Sequence, residues 1–505
     1  MKFSLLQKKE DRPAVCEVIY DLSVDRAAHN IIEDTRRADY FVSVLSKPLT
    51  DRDNIIFRQQ IFSDFQNIPG LFDSLRLLFA RYDRIKSDWQ EMKLGTATGR
   101  GAEINPEALL EYTFSSLKVT AIFPSTIASF FSSIGDTLSG YPITAEGLVA
   151  MRDWCRGMAD NAALDEIVEI SQLFRYQTPD CFDFTVAAKL DGALRLCLCD
   201  ISGISEHKPE GGALSRIFSK KKADDGFRAV TAEISEAGED PYSDSVFMLN
   251  EALCRIDSAL TQVTDEVYGA FFGMSNEMMF YEAALAYADV AKESGVPLTM
   301  PDILPAEADC MNAKGLRELV LLSNGAGAKT VPNDVSLTAS ESGLLVKGLT
   351  DSGKTVYLRA IGSAQLFAQA GLPVLAESAR MSIRHGFFSH FSSAEEEFLS
   401  GDAAGRFDQE AKEIARIISG LTPHSLLLLN ETFQTTSYRE GTESMYNILR
   451  FMPGLGTKYI FVTHLTRLFG YMQNENAVLA NTSDDPAKKY KIEIPERRKE
   501  NVFFL

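Results

Sequence analysis

The eight residues Gly348-Leu-Thr-Asp-Ser-Gly-Lys-Thr355 follow directly on the apolar run Ser342-Gly-Leu-Leu-Val-Lys347 and open a helical pattern. This stretch constrains the fold more than any other, because a glycine-rich turn between strand and helix needs a parallel α/β sheet behind it. The glycines let backbone N–H groups wrap phosphate oxygens at a helix N-terminus. Gly348, Asp351, Ser352, Gly353, Lys354 and Thr355 are the candidate phosphate-binding residues, Lys354 reaching the β and γ phosphates and Thr355 offering its hydroxyl to Mg²⁺. A glycine-rich turn with no ligand is the bland alternative, and the flanking strand and helix argue against it.

A second apolar run, Ser425-Leu-Leu-Leu-Leu429, stops at Asn430-Glu431. Four consecutive leucines read as a buried parallel strand, and open α/β sheets place their ligands at the carboxyl ends of such strands. The first polar residue there normally contacts magnesium and the second polarises the attacking water. Glu431 is therefore the candidate catalytic base and Asn430 a candidate metal contact, with an amide where nucleotide hydrolases usually carry an aspartate. A glutamate merely ending a strand is the alternative. The run KYIFVTHL places His464 at the end of another strand, from which it can sense a γ phosphate, although lone histidines are commonly structural. His29, His207, His385, His390 and His424 lie in no such context.

A chain of 505 residues suggests about two to four domains, and 45% hydrophobic with 24% charged residues is an ordinary globular balance. The first twenty residues lack the apolar core of a signal peptide, and no run of about eighteen uninterrupted apolar residues follows. A cytoplasmic protein without a membrane span is expected. Seven cysteines without a CxxC pair fit reduced thiols. Cys197 and Cys199 can be read as metal ligands or, more simply, as alternating buried strand positions. The net charge of −19 excludes indiscriminate coating of nucleic acid, so DNA contact must be local. The local candidates are Arg216, Lys220, Lys221, Lys222 and Arg228, then Lys488, Lys489, Arg497, Arg498 and Lys499; a solvated charged face explains the same runs.

Residues 20–180 carry mostly helical spacing, broken by turns such as Ser139-Gly140-Tyr141-Pro142. FDFTVAAKL and ALRLCLCDI, from Phe182 to Ile201, flank Asp191-Gly192, a two-residue hairpin signal. A polar stretch from His207 to Asp244 reads as an exposed loop or insertion. Helical pattern returns from about Val246 to Ser294, where Met278, Tyr281, Leu285 and Ala288 form an apolar stripe suited to a core, and Gly295 and Pro297 end it. Beyond Pro301 the runs LRELVLLS, SGLLVKGL, SLLLL and KYIFVTH alternate with helical patterns after Lys354 and Phe407, which predicts an α/β domain.

The order of these motifs resembles the MutS family of mismatch-repair ATPases. The matching pieces are VPNDVSL (331–337), GLTDSGKTVYLR (348–359), GRFDQEAKEI (405–414), LLLLNETFQTTSYREG (426–441) and FVTHL (461–465), with a weaker likeness of KPLTDRDNIIFRQQIF (47–62) to the start of that family's helical core. The resemblance implies a multidomain α plus α/β protein: a long-helix core or lever domain over 1–295, with a short β-containing clamp-like insertion at about 182–245, followed over 296–505 by a P-loop ATPase domain like those of ATP-binding cassettes. It implies ATP and Mg²⁺ as ligands and a homodimer with composite sites. In such a dimer Thr435, Thr436 and Ser437 reach the nucleotide of the opposite subunit, Asn333 lies near the base, and His464 is the switch histidine.

The departures from the pattern are also informative. The chain begins almost at the helical core, so mismatch-recognition and connector domains are not expected, nor is the C-terminal helix-turn-helix. Gly405 stands for the usual serine and Asn430 for the usual aspartate, and TFQTTSYREG replaces a glycine-richer loop. Two functions fit. One is a slow ATP hydrolase that couples dimer rearrangement to DNA in repair or recombination. The other is a nucleotide-gated protein scaffold with little or no hydrolysis. An ABC transporter subunit is disfavoured by the long helical half and the lack of an LSGGQ-like stretch.

Overall fold

A computed structural model describes residues 3–97, 106–175, 182–190, 196–206, 241–392, 403–433 and 437–494. By packing, the chain forms two units: one of residues 73–141 and 150–272, the other of 2–72, 142–149 and 273–505.

The first unit is built from the helices Leu71–Ala97, Pro106–Ser139, Glu146–Ala159 and Ala162–Arg175, and from the part of Pro241–Glu293 that ends at Phe272. Rings at helical spacing meet in its interior; Tyr82 stands 4.8 Å from both Phe130 and Phe271, centroid to centroid. Beside them runs a polar seam, in which Thr113 donates to Asn250 at 2.5 Å, while Thr120 and Ser116 donate to the Asp257 carboxylate at 2.5 and 3.0 Å. By length and composition Glu111–Ser139 is apolar enough to cross a membrane, although it holds no uninterrupted apolar run of that length, and half of its most apolar window is buried inside the protein. The expected hairpin is present as β2 (Phe182–Leu190) and β3 (Leu196–Glu206), antiparallel. Leu190 pairs with Leu196, so the connection is longer than the two-residue turn expected at Asp191-Gly192, which lies outside the described residues. Cys197 and Cys199 fall on β3, and the stretch 207–240 with its basic residues is also outside the description.

The second unit holds a seven-stranded sheet in the order β1-β9-β10-β11-β7-β12-β13. Its strands are β1 (Val15–Cys16), β7 (Gly343–Lys347), β9 (Gly386–Phe391), β10 (Ser425–Asn430), β11 (Lys458–Thr463), β12 (Ala477–Thr482) and β13 (Ile492–Glu493). All neighbours are parallel except β13 on β12. β10 and β11 are buried at every position, the continuous apolar run that a strand covered on both faces requires. Helix Lys354–Gln369 covers one face. Helices Ala403–Gly420 and Tyr438–Phe451 cover the other, where Leu427, Leu429, Ile414, Ile417 and Met445 share a core.

A four-stranded sheet, β4 (Asp302–Leu304), β8 (Ser378–Ser382), β5 (Met311–Leu316) and β6 (Asn333–Leu337), completes the unit. The buried Arg384 and Lys458 both grip the Asp309 carboxylate, at 2.6 and 2.7 Å, and join its edge to the start of β11. One expected strand is absent: in LRELVLLS, residues 319–321 turn into helix because the buried Glu318 carboxylate accepts the N–H groups of Val320 and Leu321 at 2.9 and 2.7 Å. The other three apolar runs are strands β7, β10 and β11. The stripe Met278, Tyr281 and Ala288 is buried as expected, Leu285 less so, and Tyr281 donates to Leu5 O at 2.7 Å.

β7 delivers the glycine-rich turn, and its first residue tolerates no side chain. Gly343 pairs with Tyr459, and a Cβ there would stand 2.4 Å from the Tyr459 carbonyl oxygen. Gly343→Ala should therefore cost about 3 kcal/mol, read as a fall in the urea midpoint at unchanged slope; a midpoint equal to wild type would show that β7 and β11 can part without loss.

Candidate nucleotide site

The carboxyl ends of β7, β10 and β11 are adjacent, and the chain there runs into residues that the sequence singles out: Gly348 after β7, Asn430 and Glu431 at the end of β10, and His464 after β11. After β7 the chain turns through Asp351 (φ 59°) to Gly353 (φ 88°), and helix Lys354–Gln369 starts there. A left-handed N-cap is natural only for glycine. The first turn of that helix presents N–H groups without intrahelical acceptors, at the positive end of the helix dipole. The Lys354 side chain is almost fully buried; its ammonium donates to Gly348 O at 3.0 Å and Leu349 O at 2.8 Å and lies 3.3 Å from Glu431 Oε1.

Alternation along β10 sorts its side chains. Leu427 and Leu429 join the core beneath helices 403–420 and 438–451, whereas Leu428 and Asn430 point to the phosphate-loop helix. Thr355 donates its hydroxyl to Asn430 Oδ1 at 2.9 Å. Beyond the strand Glu431 (φ 53°) and Phe433 (φ 60°) both adopt left-handed backbone, about 1–3 kcal/mol of strain each for a residue with a Cβ. Several contacts hold the turn: Glu431 N–H donates to Val462 O at 3.0 Å, and Phe433 is buried against Phe407. The carboxylate of Glu431 accepts from His464 N–H at 3.0 Å, and His464 Nε2 lies 3.0 Å from its other oxygen.

These groups open on a cleft of about 770 Å³ whose lining includes Asp351, Ser352, Gly353, Lys354, Thr355, Asn430, Glu431, His464 and Asn333. Its far wall is Arg317, Glu318, Lys329 and Thr330, which sequence reasoning did not single out. Arg317 donates to Thr330 O at 2.7 Å, and burial pushes the Glu318 carboxyl up. Tyr490 was missed too; its ring lies over Gly353, 3.2 Å from where a Cβ would stand. In the sequence it showed only as part of a basic tail. Asn333 holds this segment by both ends of its amide, donating to Tyr490 O at 3.0 Å and accepting from Ile492 N–H at 2.8 Å. Ser437 is elsewhere: it caps helix Tyr438–Phe451 and exchanges hydrogen bonds with Glu440, while Thr435 and Thr436 lie outside the described residues. Of the second basic cluster, Lys488 faces Glu493 at 3.5 Å and Lys489 lies 4.8 Å over the Tyr490 ring; Arg497, Arg498 and Lys499 are outside the description.

Residues 344–501 match the family model of MutS domain V. The chain is 23% identical over 458 residues to the DNA mismatch repair protein MSH3 of Mycosarcoma maydis, covering 84% of this chain and 38% of that protein. It is 29% identical over 218 residues to the endonuclease MutS2 of Gemmatimonas aurantiaca (42% and 26%), and 33% identical over 168 residues to the DNA mismatch repair protein MutS of Chlorobium chlorochromatii (32% and 19%). Residues 344–501 thus carry the MutS domain V, and most of the chain is similar to MutS-family proteins. The chain spans less than two fifths of the length of each of these relatives.

The MutS domain V match takes in Tyr490 and Ile492 but begins after Asn333, the residue that clamps them. Asn333→Ala leaves the Ile492 N–H and the Tyr490 carbonyl without their partner. Loss of such a buried bond costs about 1–3 kcal/mol. Amide exchange at Ile492 should quicken about tenfold or more while exchange along β10 stays as it was; unchanged exchange at Ile492 would mean that other contacts hold the segment.

Proposed function

We propose that this MutS-family chain binds ATP in the cleft and hydrolyses it slowly, and that ATP-driven association of two chains is coupled to DNA binding in repair or recombination. The observation that carries the reading is the convergence of Lys354, Thr355, Asn430, Glu431 and His464 from three strand ends on one cleft. A helix N-terminus, a buried ammonium and a glycine-rich turn form a cradle suited to polyphosphate. Thr355 and Asn430 would hold Mg²⁺, whose charge would neutralise the phosphate oxygens when bound. Both are neutral oxygen donors, so the metal would be held mainly by the phosphates themselves.

Glu431 is the base in this reading, and its present partners define its task. Lys354 is shared between the carboxylate and the loop carbonyls, so a phosphate that draws the ammonium away frees Glu431 for a water molecule. His464 then remains to orient the carboxylate through its backbone N–H. Asn430 accepts the Thr355 hydroxyl as an aspartate would, but brings no negative charge. Loose metal binding and slow turnover follow. Residues 296–505 supply the ATPase site, residues 2–72 and 273–295 pack in the same unit as its sheet, and the helices of 73–272 form the helical core, with Ser437 completing the site of a facing chain. The names of the relatives motivate the DNA part. A nucleotide-gated scaffold without hydrolysis is the second reading, favoured by Asn430 alone.

Lys354→Ala should abolish ATP binding in calorimetry, and unchanged affinity would refute the site. Glu431→Gln should bind ATP without turnover, while Asn430→Asp should lower the magnesium concentration for half-maximal phosphate release; a wild type no faster than its Glu431→Gln variant across a magnesium titration leaves the scaffold reading. Mixing Lys354→Ala chains with Ser437→Ala chains should restore part of the activity, because one of the two composite sites is then intact. Absence of recovery in demonstrated mixed dimers counts against sharing between chains.

A further inference from the structure

His390 lies on β9 opposite Leu429 of β10, in a position that the sequence left without any functional context. Alternation places it with Phe388 on the face beneath helix Ala403–Gly420, and its side chain is 4% exposed. Its Nδ1 is 3.0 Å from Thr432 Oγ1, and its Nε2 is 3.7 Å from Glu413 Oε2 on that helix. The order hydroxyl, imidazole, carboxylate is that of a nucleophilic triad. The surroundings exclude that role: Thr432 is completely buried, and neither it nor His390 lines the cleft, so no substrate reaches the hydroxyl.

What the pair does is mechanical. Thr432 sits between Glu431 and Phe433, both in left-handed backbone, a conformation that persists only where the surroundings over-determine it. Phe433 is fixed by its ring in the core, and the Glu431 N–H by Val462. The residue between them is fixed through its hydroxyl, which among the described residues bonds only to His390. A buried hydroxyl with its one partner removed is costly, so the bond constrains the rotation of the turn and hence the direction in which the Glu431 carboxylate leaves it. Glu413, half exposed, faces the other side of the imidazole ring at 3.7 Å, beyond hydrogen-bond distance.

We propose that His390 is a positioning residue which, through Thr432, fixes the Glu431 turn so that the carboxylate meets Lys354 and His464. This rests on the reading of Glu431 as the base, and the test separates the two. It uses the full chain with His390→Leu, Thr432→Val, their combination, and His390→Asn, whose amide places a polar atom near the site of Nδ1. The first readout is amide exchange at Glu431 without nucleotide, the second steady-state ATP hydrolysis. His390→Leu and Thr432→Val should each quicken exchange at Glu431 about tenfold and lower kcat by about 10- to 100-fold, with KM for ATP changed by less than about twofold. The combination should be no worse than either alone, because one bond is lost in each case. His390→Asn should restore both readouts towards wild type. Should His390→Leu fail to fold, Thr432→Val carries the same comparison.

Wild-type exchange at Glu431 and wild-type kcat in Thr432→Val overturn the proposal, as do losses that simply add in the double variant. Exchange that quickens as expected in a chain whose wild type has no turnover above Glu431→Gln overturns the ATPase reading, and with it the catalytic purpose of the pair.

Discussion

One carboxylate ties the functional end of the sheet together. Glu431, at the end of β10, accepts from the backbone and faces the ring of His464 after β11, and pairs with Lys354 after β7. At 3.3 Å in a largely buried setting, the Lys354 contact sets an ammonium directly against the carboxylate, where their attraction is little screened by water. Three strand ends are thereby held in one arrangement. The remaining features serve to keep this arrangement: continuous leucine strands to set the spacing, the Thr355 to Asn430 bond to align helix and strand, and the strained turn at 431–433 to set the backbone from which the carboxylate leaves.

The edge of the sheet extends the same arrangement towards the start of the chain. β1 pairs with β9, Ser389 donates to the Asp21 carboxylate at 2.7 Å, and Arg359 of the phosphate-loop helix donates to Asp21 O at 2.9 Å. Burial pushes the Asp21 carboxyl up, and the Ser389 bond opposes that rise. Residues 14–22 are therefore a strap between the phosphate-loop helix and β9, the strand that carries His390. Any movement of β9 against that helix has to break or carry these contacts.

Much of the centre was legible in the sequence because its signals are local. A run such as Ser425–Asn430 with no polar break is hard to read as anything but a strand buried on both faces, and the turn from Gly348 to Thr355 carries its own flanking context. Where the signal is not local, reading failed. LRELVLLS is apolar enough for a strand, but Glu318 satisfies two backbone N–H groups and starts a helix instead. β1 is two residues long and has no periodicity to detect, so nothing in Val15-Cys16 announces that the first part of the chain packs with the sheet. Tyr490 and Asn333 meet across 157 positions of sequence, and His390 and Thr432 across 42; such pairs exist only once the sheet order brings them together.

The amide at 430 is best understood against these contacts. An aspartate there would place a second carboxylate beside Glu431, and the single ammonium of Lys354 would have to balance both until a metal arrived. Asn430 removes that repulsion while keeping the hydrogen bond from Thr355. The site thus groups one buried ammonium with one carboxylate and a histidine that contacts that carboxylate. On the reading proposed above, a polyphosphate with its metal would compete for Lys354, and the contacts by which loss of the Lys354 pair would reach β11, β9 and the helix above it are those of Glu431, Thr432 and His390. On that reading a carboxylate at 430 would speed metal capture but stand beside Glu431 with one ammonium to balance both, so the amide suits nucleotide sensing better than rapid turnover.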